Sequence, residues 1–284
     1  MPVELAPIPY NAVSQELLLD IMQQLGDYSV AIGQMTGDNA TSFRIMGSGV
    51  CVRRGDEYGV LTAHHVLHAG PRPVALGEFG KERIYFLAKR GHSPHAVLSE
   101  LEEIPLGVPA DGYGEFGPDL TVIRLPAGSV RSSLLAAGSF WPLDASADQV
   151  LSDFGVDRAC LIHTGYPACK NEASRQTQSA HANLTLYGGK SGLLQEDIER
   201  RGEWDYVTTT CDYRAFLDLP KSYGGMSGGG IWSVILHRDA SGTLALHRFA
   251  LVGVNFWETG LDLGVQRLRG HFVRSIYGRE WRRL

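Results

Sequence analysis

The sequence predicts an all-β protein, built as either a sandwich or a barrel. Many short apolar or β-branched runs alternate with turn residues, and only two stretches, one near each end, have helical spacing. The 34 glycines are many for a helical protein and are typical of a turn-rich β protein. No period of about 20–50 residues repeats, so we expect neither a solenoid nor a propeller.

Length, composition and charge exclude several classes of protein. A chain of 284 residues can form one large domain or two small ones. Its hydrophobic share of 44% and charged share of 20% are ordinary for a globular protein and exclude disorder, collagen and a coiled coil as the main state. No apolar run approaches the roughly 18 residues of a membrane helix, so we expect no membrane partner. The net charge of −5 weighs against a nucleic-acid partner.

The first predicted element is a helix over residues 12–25. Apolar residues recur there at helical spacing, and Gly26 follows as a stop. The Pro-rich residues before this helix are irregular in pattern. Together they form a predicted N-terminal extension, residues 1–27.

After residue 28 the hydrophobic pattern becomes that of strands. Clear turn signals at 36–39 and 54–56 separate the first three runs. The stretch 126–154 is a candidate bridge between two β halves. The predicted strands are 29–32, 43–52, 58–61, 74–76, 84–87, 120–125, 159–163, 206–211, 230–236, 244–246 and 249–256.

The chain is predicted to end in a second helix, over residues 265–284. Six arginines lie there against one acid, Glu280. We expect a solvated face on a packed helix, which explains such a charge run more often than an anionic partner does. The apolar stripe of this helix consists of Leu268, Phe272, Val273, Ile276 and Tyr277.

Three segments carry residue types that suit nucleophilic catalysis. Ser227 lies in a glycine-rich turn, 224–231, whose backbone N–H groups could stabilise a developing oxyanion. A serine hydroxyl is a weak nucleophile and needs a base, and His65 follows a strand-like run. Asp119 heads an apolar run, where a carboxylate needs a partner, and it could orient that base.

The order His65, Asp119, Ser227 and the residues around them resemble the chymotrypsin-like (trypsin-fold) serine proteases, in particular the disulfide-poor bacterial-type peptidases. Residues 163–167 and 251–257 more weakly resemble two further strands of that family. The specific matches are Thr62-Ala63-His64-His65 to Thr-Ala-Ala-His, Asp119-Leu120-Thr121-Val122-Ile123 to Asp-Ile-Ala-Leu-Leu, and Gly225-Met226-Ser227-Gly228-Gly229 to Gly-Asp-Ser-Gly-Gly.

This resemblance implies two six-stranded antiparallel β-barrels with a helix at each end of the chain. Residues 28–145 would form the first barrel and carry His65 and Asp119, and residues 146–264 would form the second and carry Ser227. It also implies a serine endopeptidase that acts on a protein or peptide substrate through an acyl-enzyme intermediate. Ser227 would be the nucleophile, His65 the general base and then the general acid, and Asp119 would hold the His65 tautomer.

The resemblance further implies the residues that surround the triad. The backbone N–H groups of Gly225 and Ser227 would form the oxyanion hole. The backbone of Phe256, Trp257 and Glu258 would pair with an extended substrate as an added strand.

Lys221 and Ser222 would lie near the floor of the primary specificity pocket. Lys221 could select acidic substrate side chains, although we favour a lysine that points to solvent, because lysines are rarely buried. The polar segment 170–190 is expected to be a loop over the cleft or an insertion. The resemblance implies no cofactor.

Two departures from the family bear on regulation. Met226 stands where the secreted zymogens have the aspartate that captures a new N-terminus, so activation by N-terminal trimming is disfavoured. Cys51 lacks the cysteine partner of the secreted enzymes, since Val66 follows His65. With four cysteines and no export signal, we expect a cytoplasmic chain with free thiols, controlled by narrow specificity or by a regulatory protein partner.

Other functions stay open at this point. A catalytically silent protease-fold module that binds a peptide or a partner has the same residues, because a misshapen oxyanion turn would silence the site. An esterase of the α/β-hydrolase class is disfavoured, since its triad runs in the order Ser, acid, His. His64 and His68 have the spacing of metal ligands on a helix, but no third ligand is evident in the sequence, and we expect no metal.

Overall fold

The computed structural model describes residues 13–36, 42–69, 84–88, 95–97, 101–154, 160–167, 187–191, 197–212, 222–239, 241–260, 262 and 265–281. In chain order, the helices and strands of these residues are α1 (Gln15–Gly26), β1 (Ser29–Thr36), β2 (Ser42–Arg54), β3 (Glu57–Thr62), α2 (His65–His68), β4 (Ile84–Ala88), β5 (His95–Val97), β6 (Glu102–Gly107), β7 (Leu120–Arg124), α3 (Ser129–Ala137), β8 (Trp141–Pro142), α4 (Ala147–Asp153), β9 (Cys160–Gly165), β10 (Tyr187–Ser191), β11 (Ile198–Arg201), β12 (Trp204–Asp212), β13 (Gly230–Arg238), β14 (Leu244–Glu258), β15 (Val265–His271) and α5 (Val273–Tyr277).

The strands pair into two mainly antiparallel sheets, which confirms the predicted β-rich class. The first sheet has the order β5-β4-β1-β2-β3-β7-β6, and β8 pairs in parallel with β2 outside this path. The second sheet has the order β10-β9-β13-β14-β15-β12-β11. The sheets therefore have eight and seven strands, where six each were expected, and within the described residues neither sheet closes on itself.

Both sheets follow one strand order. Each half has six strand positions if β5 is counted with its hairpin partner β4, β11 is counted with β12, and β8 is left out. When the six positions of each half are numbered in chain order, the order of neighbours across the first sheet is 4-1-2-3-6-5, and across the second sheet it is 2-1-4-5-6-3. Both are the same cyclic order of neighbours, 1-2-3-6-5-4. The first sheet lacks the pairing between positions 5 and 4, and the second lacks the pairing between positions 2 and 3. The two halves thus share a topology although their sequences show no repeat.

One buried apolar cluster spans both sheets and the first helix. It includes Val50 and Leu61 of the first sheet, Ile231 and Leu251 of the second, and Ile21 of α1. Full burial of such a side chain stabilises the fold by about 1.5–3 kcal/mol relative to exposure. The shared cluster therefore fixes the position of one sheet against the other, and the candidate site lies at their junction.

Helix α1 confirms the predicted N-terminal helix. It begins at Gln15, one residue after Ser14, whose hydroxyl oxygen accepts a hydrogen bond of 3.1 Å from the Leu17 N–H. This cap satisfies one of the N–H groups that a helix leaves unpaired at its start. The buried face consists of Leu18, Ile21, Met22 and Leu25.

The predicted helix over residues 265–284 is wrong for its first seven residues. Val265–His271 form β15, which pairs with β12 on one side and with β14 on the other. Of the described residues in this range, which end at 281, only Val273–Tyr277 are helical, and the Asp205 carboxylate caps this short helix by accepting a hydrogen bond of 2.9 Å from the Arg274 N–H. Pairing on both sides satisfies the backbone of β15, which outweighs the helical spacing of its apolar residues.

The expected solvated arginine face is also wrong at Arg269. This residue is only 6% exposed. Its guanidinium forms ion pairs with Glu115 at 3.3 Å and Glu199 at 2.8 Å, and it lies 3.6 Å from the centre of the Phe116 ring. Arg269 therefore joins β15 to β11 and to the segment before β7 rather than facing solvent.

The other predicted strands overlap observed ones, except 74–76, which lies outside the described residues. The runs 244–246 and 249–256 belong to one strand, β14, and the predicted bridge contains α3, β8 and α4. Strands β5, β6, β10 and β11 were not predicted. Most of the segment 170–190 also lies outside the described residues. Within the part of the chain that the structure describes, no helix has the length and apolar character needed to cross a membrane.

Candidate active site

Asp119 holds His65 through two hydrogen bonds. Its Oδ1 accepts a bond of 2.8 Å from the His65 backbone N–H, and its Oδ2 lies 2.5 Å from the His65 Nδ1. The carboxylate is an acceptor only, so Nδ1 carries the hydrogen and Nε2 keeps its lone pair. Asp119 is 2% exposed, so its carboxylate is shielded from water, whereas the His65 side chain is 21% exposed. The structure thus brings together the two residues that the sequence predicted as base and orienting acid.

His271 supports Asp119 from behind. The Asp119 backbone N–H donates a hydrogen bond of 3.1 Å to the His271 Nε2. His271 is fully buried, and burial lowers its pKa to about 4. It is therefore neutral and can accept this bond. The sequence did not single out His271, because it lies in β15, 152 positions away along the chain.

The turn around Ser227 leaves two backbone N–H groups available. Gly225 and Gly228 adopt positive φ angles of 93° and 85°. The Met226 N–H donates to the Tyr223 carbonyl oxygen at 2.8 Å, and the Gly229 N–H donates to the Met226 carbonyl oxygen at 2.8 Å. Among the described residues, the N–H groups of Gly225 and Ser227 have no acceptor. These are the two groups that the sequence predicted for an oxyanion hole.

Ser48 of β2 anchors this turn to the first sheet. Its N–H donates to the Ser227 carbonyl oxygen at 2.7 Å, and its hydroxyl donates to the Gly225 carbonyl oxygen at 2.7 Å. The same hydroxyl oxygen accepts a bond of 2.8 Å from the Tyr166 N–H. Gly228 packs so closely against this strand that a Cβ would overlap the Ser48 carbonyl oxygen and the Thr62 hydroxyl. The turn that carries Ser227 is therefore shaped by contacts between the sheets.

Met226 and Asn255 hold the other side of the turn. Met226 is 2% exposed and packs with Tyr223 and Leu268, so it holds the turn by apolar contact. The Asn255 carbonyl oxygen accepts a bond of 2.7 Å from the Gly228 N–H. Asn255 is positioned in turn by a side-chain hydrogen bond of 2.7 Å to His163, a buried histidine of β9 whose pKa is lowered to about 4 by burial.

His65 and Ser227 line one cavity of about 300 Å³ at the junction of the sheets. Among the described residues, no hydrogen bond joins the Ser227 hydroxyl to the His65 ring. Lys221, predicted near the floor of the pocket, lies outside the described residues. The other residues that line the cavity are Tyr223, Gly224, Met226, Asn255, Phe256, Trp257, Glu258 and Leu268.

The predicted substrate strand, Phe256 to Glu258, lines this cavity and pairs on one side only with the described strands. On one side these residues continue the pairing of β14 with β15, through Trp257 with Arg269. On the other side the pairing with β13 ends at Val254, so no described strand pairs with residues 256–258 there. Phe256 is 1% exposed and lies in the core, whereas Trp257 and Glu258 are partly exposed beside the cavity.

Glu258 places a carboxylate in the wall of the cavity. Its Oε1 accepts a hydrogen bond of 3.1 Å from the hydroxyl of Ser222, the residue predicted near the pocket floor. Its Oε2 accepts bonds from the Tyr223 N–H at 2.7 Å and from the Gln266 side chain at 3.2 Å. These contacts hold a negative charge beside the predicted specificity pocket.

A second cluster of titratable residues lies beside the His65–Asp119 pair. Glu103 of β6 approaches both His64 and His68. Its carboxylate is a possible third metal ligand, which was not evident in the sequence. Burial, followed by the neighbouring His68, lowers the pKa of His64. Within the described part of the chain, His64, His68 and Glu103 form a group that could hold a metal ion.

Comparisons with known proteins do not assign the chain to a family. No protein-family model matches it. No curated protein matches it either. One solved structure, from work on aromatic interactions in the coupled folding and binding of the intrinsically disordered Sesbania mosaic virus VPg protein, is similar over 87% of this chain and 93% of that chain, with 17% sequence identity and a TM-score of 0.38. A likeness at that level carries no conclusion about the fold or function of this chain.

Proposed function

We propose that this chain is a serine endopeptidase in which Ser227, His65 and Asp119 form the catalytic triad. The observation that carries the proposal is the hydrogen-bonded Asp119–His65 pair, in which the carboxylate is buried and the histidine lines the same cavity as Ser227. These three residue types come from distant parts of the chain and are those that acyl transfer requires as nucleophile, base and orienting acid.

The chemistry proceeds through an acyl-enzyme. The Ser227 Oγ attacks the carbonyl carbon of the substrate while its proton passes to the His65 Nε2. The N–H groups of Gly225 and Ser227 stabilise the negative charge on the carbonyl oxygen. His65 then gives its proton to the leaving amine nitrogen, and the C–N bond breaks. A water molecule attacks the ester carbon, loses its proton to His65, and releases the carboxylic acid as Ser227 regains its proton.

The substrate adds as a strand along residues 256–258. The free edge of that segment supports this step, because unpaired backbone groups at a sheet edge are templates for an extended peptide. The peptide bond to be cleaved would then lie between the Ser227 turn and His65.

We also propose that each sheet closes into a barrel, so that the two halves form the chymotrypsin-like double barrel. The shared ring order 1-2-3-6-5-4 supports closure, because each path needs only one further strand contact to become a ring. These contacts are β5 with β6 in the first half and β10 with β11–β12 in the second. An experimental structure in which either pair of strands remains apart would contradict closure.

We further propose that the chain acts in the cytoplasm. Cys51 is a free and buried thiol, and burial raises its pKa to about 12. Unreactive free thiols suit a reducing compartment.

A fluorophosphonate probe tests the nucleophile directly. An activated Ser227 Oγ attacks the phosphorus atom, fluoride leaves, and a stable adduct forms on Ser227. We expect one adduct per wild-type chain, located on Ser227 by peptide mass spectrometry, and none on folded Ser227→Ala. Ser241→Ala is the matched control, since this serine lies in an exposed turn, and it should label as the wild type does. A label that survives Ser227→Ala would overturn the triad assignment.

A catalytically silent module that binds a peptide or a regulatory partner is the second candidate. The observation that favours it is the missing hydrogen bond between the Ser227 hydroxyl and the His65 ring among the described residues. If folded wild type does not label, and a peptide still binds along residues 256–258 with an affinity that Ser227→Ala leaves unchanged, the silent module replaces the endopeptidase as the proposed function.

A further inference from the structure

We propose that His64, His68 and Glu103 form a binding site for one zinc ion. The site lies beside the His65–Asp119 pair and uses none of the residues of the proposed triad. It goes beyond the proposed function and does not depend on it.

The three side chains converge from two elements. His64 immediately precedes α2 and His68 ends it, so one helical turn places both imidazoles on the same side, with ring centres 4.1 Å apart and ring planes at 19°. Glu103 reaches them from β6. Its carboxylate oxygens lie 2.9 and 3.0 Å from the His68 Nε2, and one lies 3.7 Å from the His64 Nε2.

These separations match those of zinc ligands. Zinc bonds of about 2.0–2.2 Å in tetrahedral geometry put neighbouring ligand atoms about 3.3 Å apart. The measured distances from Glu103 to the two histidines lie on either side of that value, and all three ligand atoms are within 4.8 Å of one another. Small side-chain rotations are therefore enough to bring them around one ion.

Partners outside the cluster orient two of the ligands. The His64 Nδ1 is 2.7 Å from the Tyr113 hydroxyl, and with Nδ1–H as the donor the Nε2 lone pair is directed to the cluster. The Thr121 hydroxyl donates to a Glu103 oxygen at 3.1 Å. Metal-bound histidines and carboxylates are commonly held by such second hydrogen bonds, which fix the tautomer and the orientation.

Burial and ligand type favour zinc over other cations. The side chains of His64, His68 and Glu103 are 9%, 23% and 13% exposed, so the pocket is enclosed and open mainly on the His68 side. Two imidazoles with one carboxylate suit zinc, whereas magnesium and calcium prefer oxygen ligands only. Three protein ligands leave the fourth position of the ion for water.

The site also bears on His65. This residue lies between the two histidine ligands in the sequence and begins the same short helix. A bound ion joins α2 to β6 and thereby restrains the backbone that carries His65. A bound zinc ion therefore fixes the position of α2 relative to β6.

Isothermal titration calorimetry with zinc chloride, on full-length protein first freed of metal with EDTA, tests the site. We expect one ion per wild-type chain, and an affinity at least about tenfold lower in His68→Ala and in Glu103→Gln. His247→Ala removes an exposed histidine far from the cluster, and Ser227→Ala removes the proposed nucleophile; both should bind zinc as the wild type does. The Ser227→Ala control keeps failure of the zinc site distinct from failure of the proposed enzyme.

Several results would overturn the proposal. They are no zinc binding by folded wild type, unchanged binding in both cluster variants, and loss of binding in His247→Ala. If a cluster variant fails to fold, as judged by circular dichroism, the visible spectrum of wild type with cobalt(II) decides. Intense tetrahedral bands support ligation by the cluster, and weak octahedral bands contradict it.

Discussion

The Ser48 N–H donates a hydrogen bond of 2.7 Å to the Ser227 carbonyl oxygen and thereby joins the two sheets at the candidate site. Ser48 belongs to β2 of the first sheet, and Ser227 lies in the turn before β13 of the second. The Ser48 hydroxyl makes a second bond, to the Gly225 carbonyl oxygen, also at 2.7 Å. The backbone around the proposed oxyanion hole is therefore held by a residue from the opposite half of the chain.

Replacing Ser48 with alanine should loosen the turn. The change leaves the Gly225 carbonyl oxygen and the Tyr166 N–H without their buried partner, which costs about 1–3 kcal/mol of unfolding free energy. We expect fluorophosphonate labelling of Ser227 to slow by about tenfold or more, because a misplaced oxyanion donor stabilises the transition state less well. Ser233→Ala removes another buried serine away from the site, and it should lower stability without slowing the labelling.

Gly228→Ala should be far more damaging than the same change at Gly242. Both glycines have positive φ angles, 85° and 80°, so both variants carry backbone strain. Only at Gly228 would the new Cβ overlap other atoms, since nothing lies within 4 Å of a Cβ at Gly242. We expect Gly228→Ala to lose about 1–3 kcal/mol more in urea unfolding and to lose labelling. Equal stability of the two variants would contradict the close packing at Gly228.

Asp119→Asn should slow labelling of Ser227 by about three orders of magnitude or more. An amide has only one acceptor oxygen, so it cannot accept from both the backbone N–H and the Nδ1 of His65 as the carboxylate does. The His65 ring then shifts to the wrong tautomer for a base. Asp144→Asn makes the same change at an exposed ion pair with Arg53 and should leave the labelling rate unchanged. Rapid labelling of folded Asp119→Asn would rule out Asp119 as the orienting group.

The stability of the fold should fall as the pH is lowered from 6.5 toward 4. Burial lowers the pKa of His163 and of His271 from 6.5 to about 4, so in this range the unfolded chain binds protons that the folded chain does not. The unfolding free energy therefore decreases with falling pH by about 1.4 kcal/mol per pH unit for each histidine. Urea unfolding at pH 5 and pH 7 should show a smaller difference for His163→Gln than for wild type. An equal difference would mean that His163 is protonated in the folded state.

Glu258→Gln should change the choice of substrate. In the proposed specificity pocket the Glu258 carboxylate would repel an acidic substrate side chain, and two charges about 4 Å apart in water interact by about 1 kcal/mol. We expect the variant to raise kcat/KM for peptides with glutamate before the cleaved bond by about fivefold relative to those with glutamine. Glu203→Gln removes an exposed carboxylate elsewhere and should leave this ratio unchanged. An unchanged ratio in Glu258→Gln would remove Glu258 from the pocket.

Local sequence signals predicted the elements whose stability is local. Helix α1 follows from its apolar spacing, and β13 and residues 250–256 of β14 follow from continuous apolar runs that are buried on both faces. The glycine-rich turn at Ser227 could be recognised because positive φ angles at Gly225 and Gly228 require glycine. In each case the residues that specify the structure are neighbours in the chain.

Other features could not be predicted, because their physical causes lie far apart in sequence. The sequence of β15 has the apolar spacing of a helix, but the segment forms a strand because β12 and β14 pair with both of its edges. Likewise, His271 meets Asp119 from 152 positions away, and Glu103 becomes a partner of His64 and His68 only through the pairing of β6 with β7.

The sequence by itself determined the β-rich class, the N-terminal helix and the three residues proposed for catalysis. Their types and order are written in the chain, and their local turns follow from glycine and strand patterns. Tertiary structure alone decided that Asp119 bonds His65, that His65 and Ser227 line one cavity, which residues support them, and that residues 265–271 form a strand. The physical reason is that burial and hydrogen-bond pairing between distant segments outweigh local preferences of a few tenths of a kcal/mol per residue.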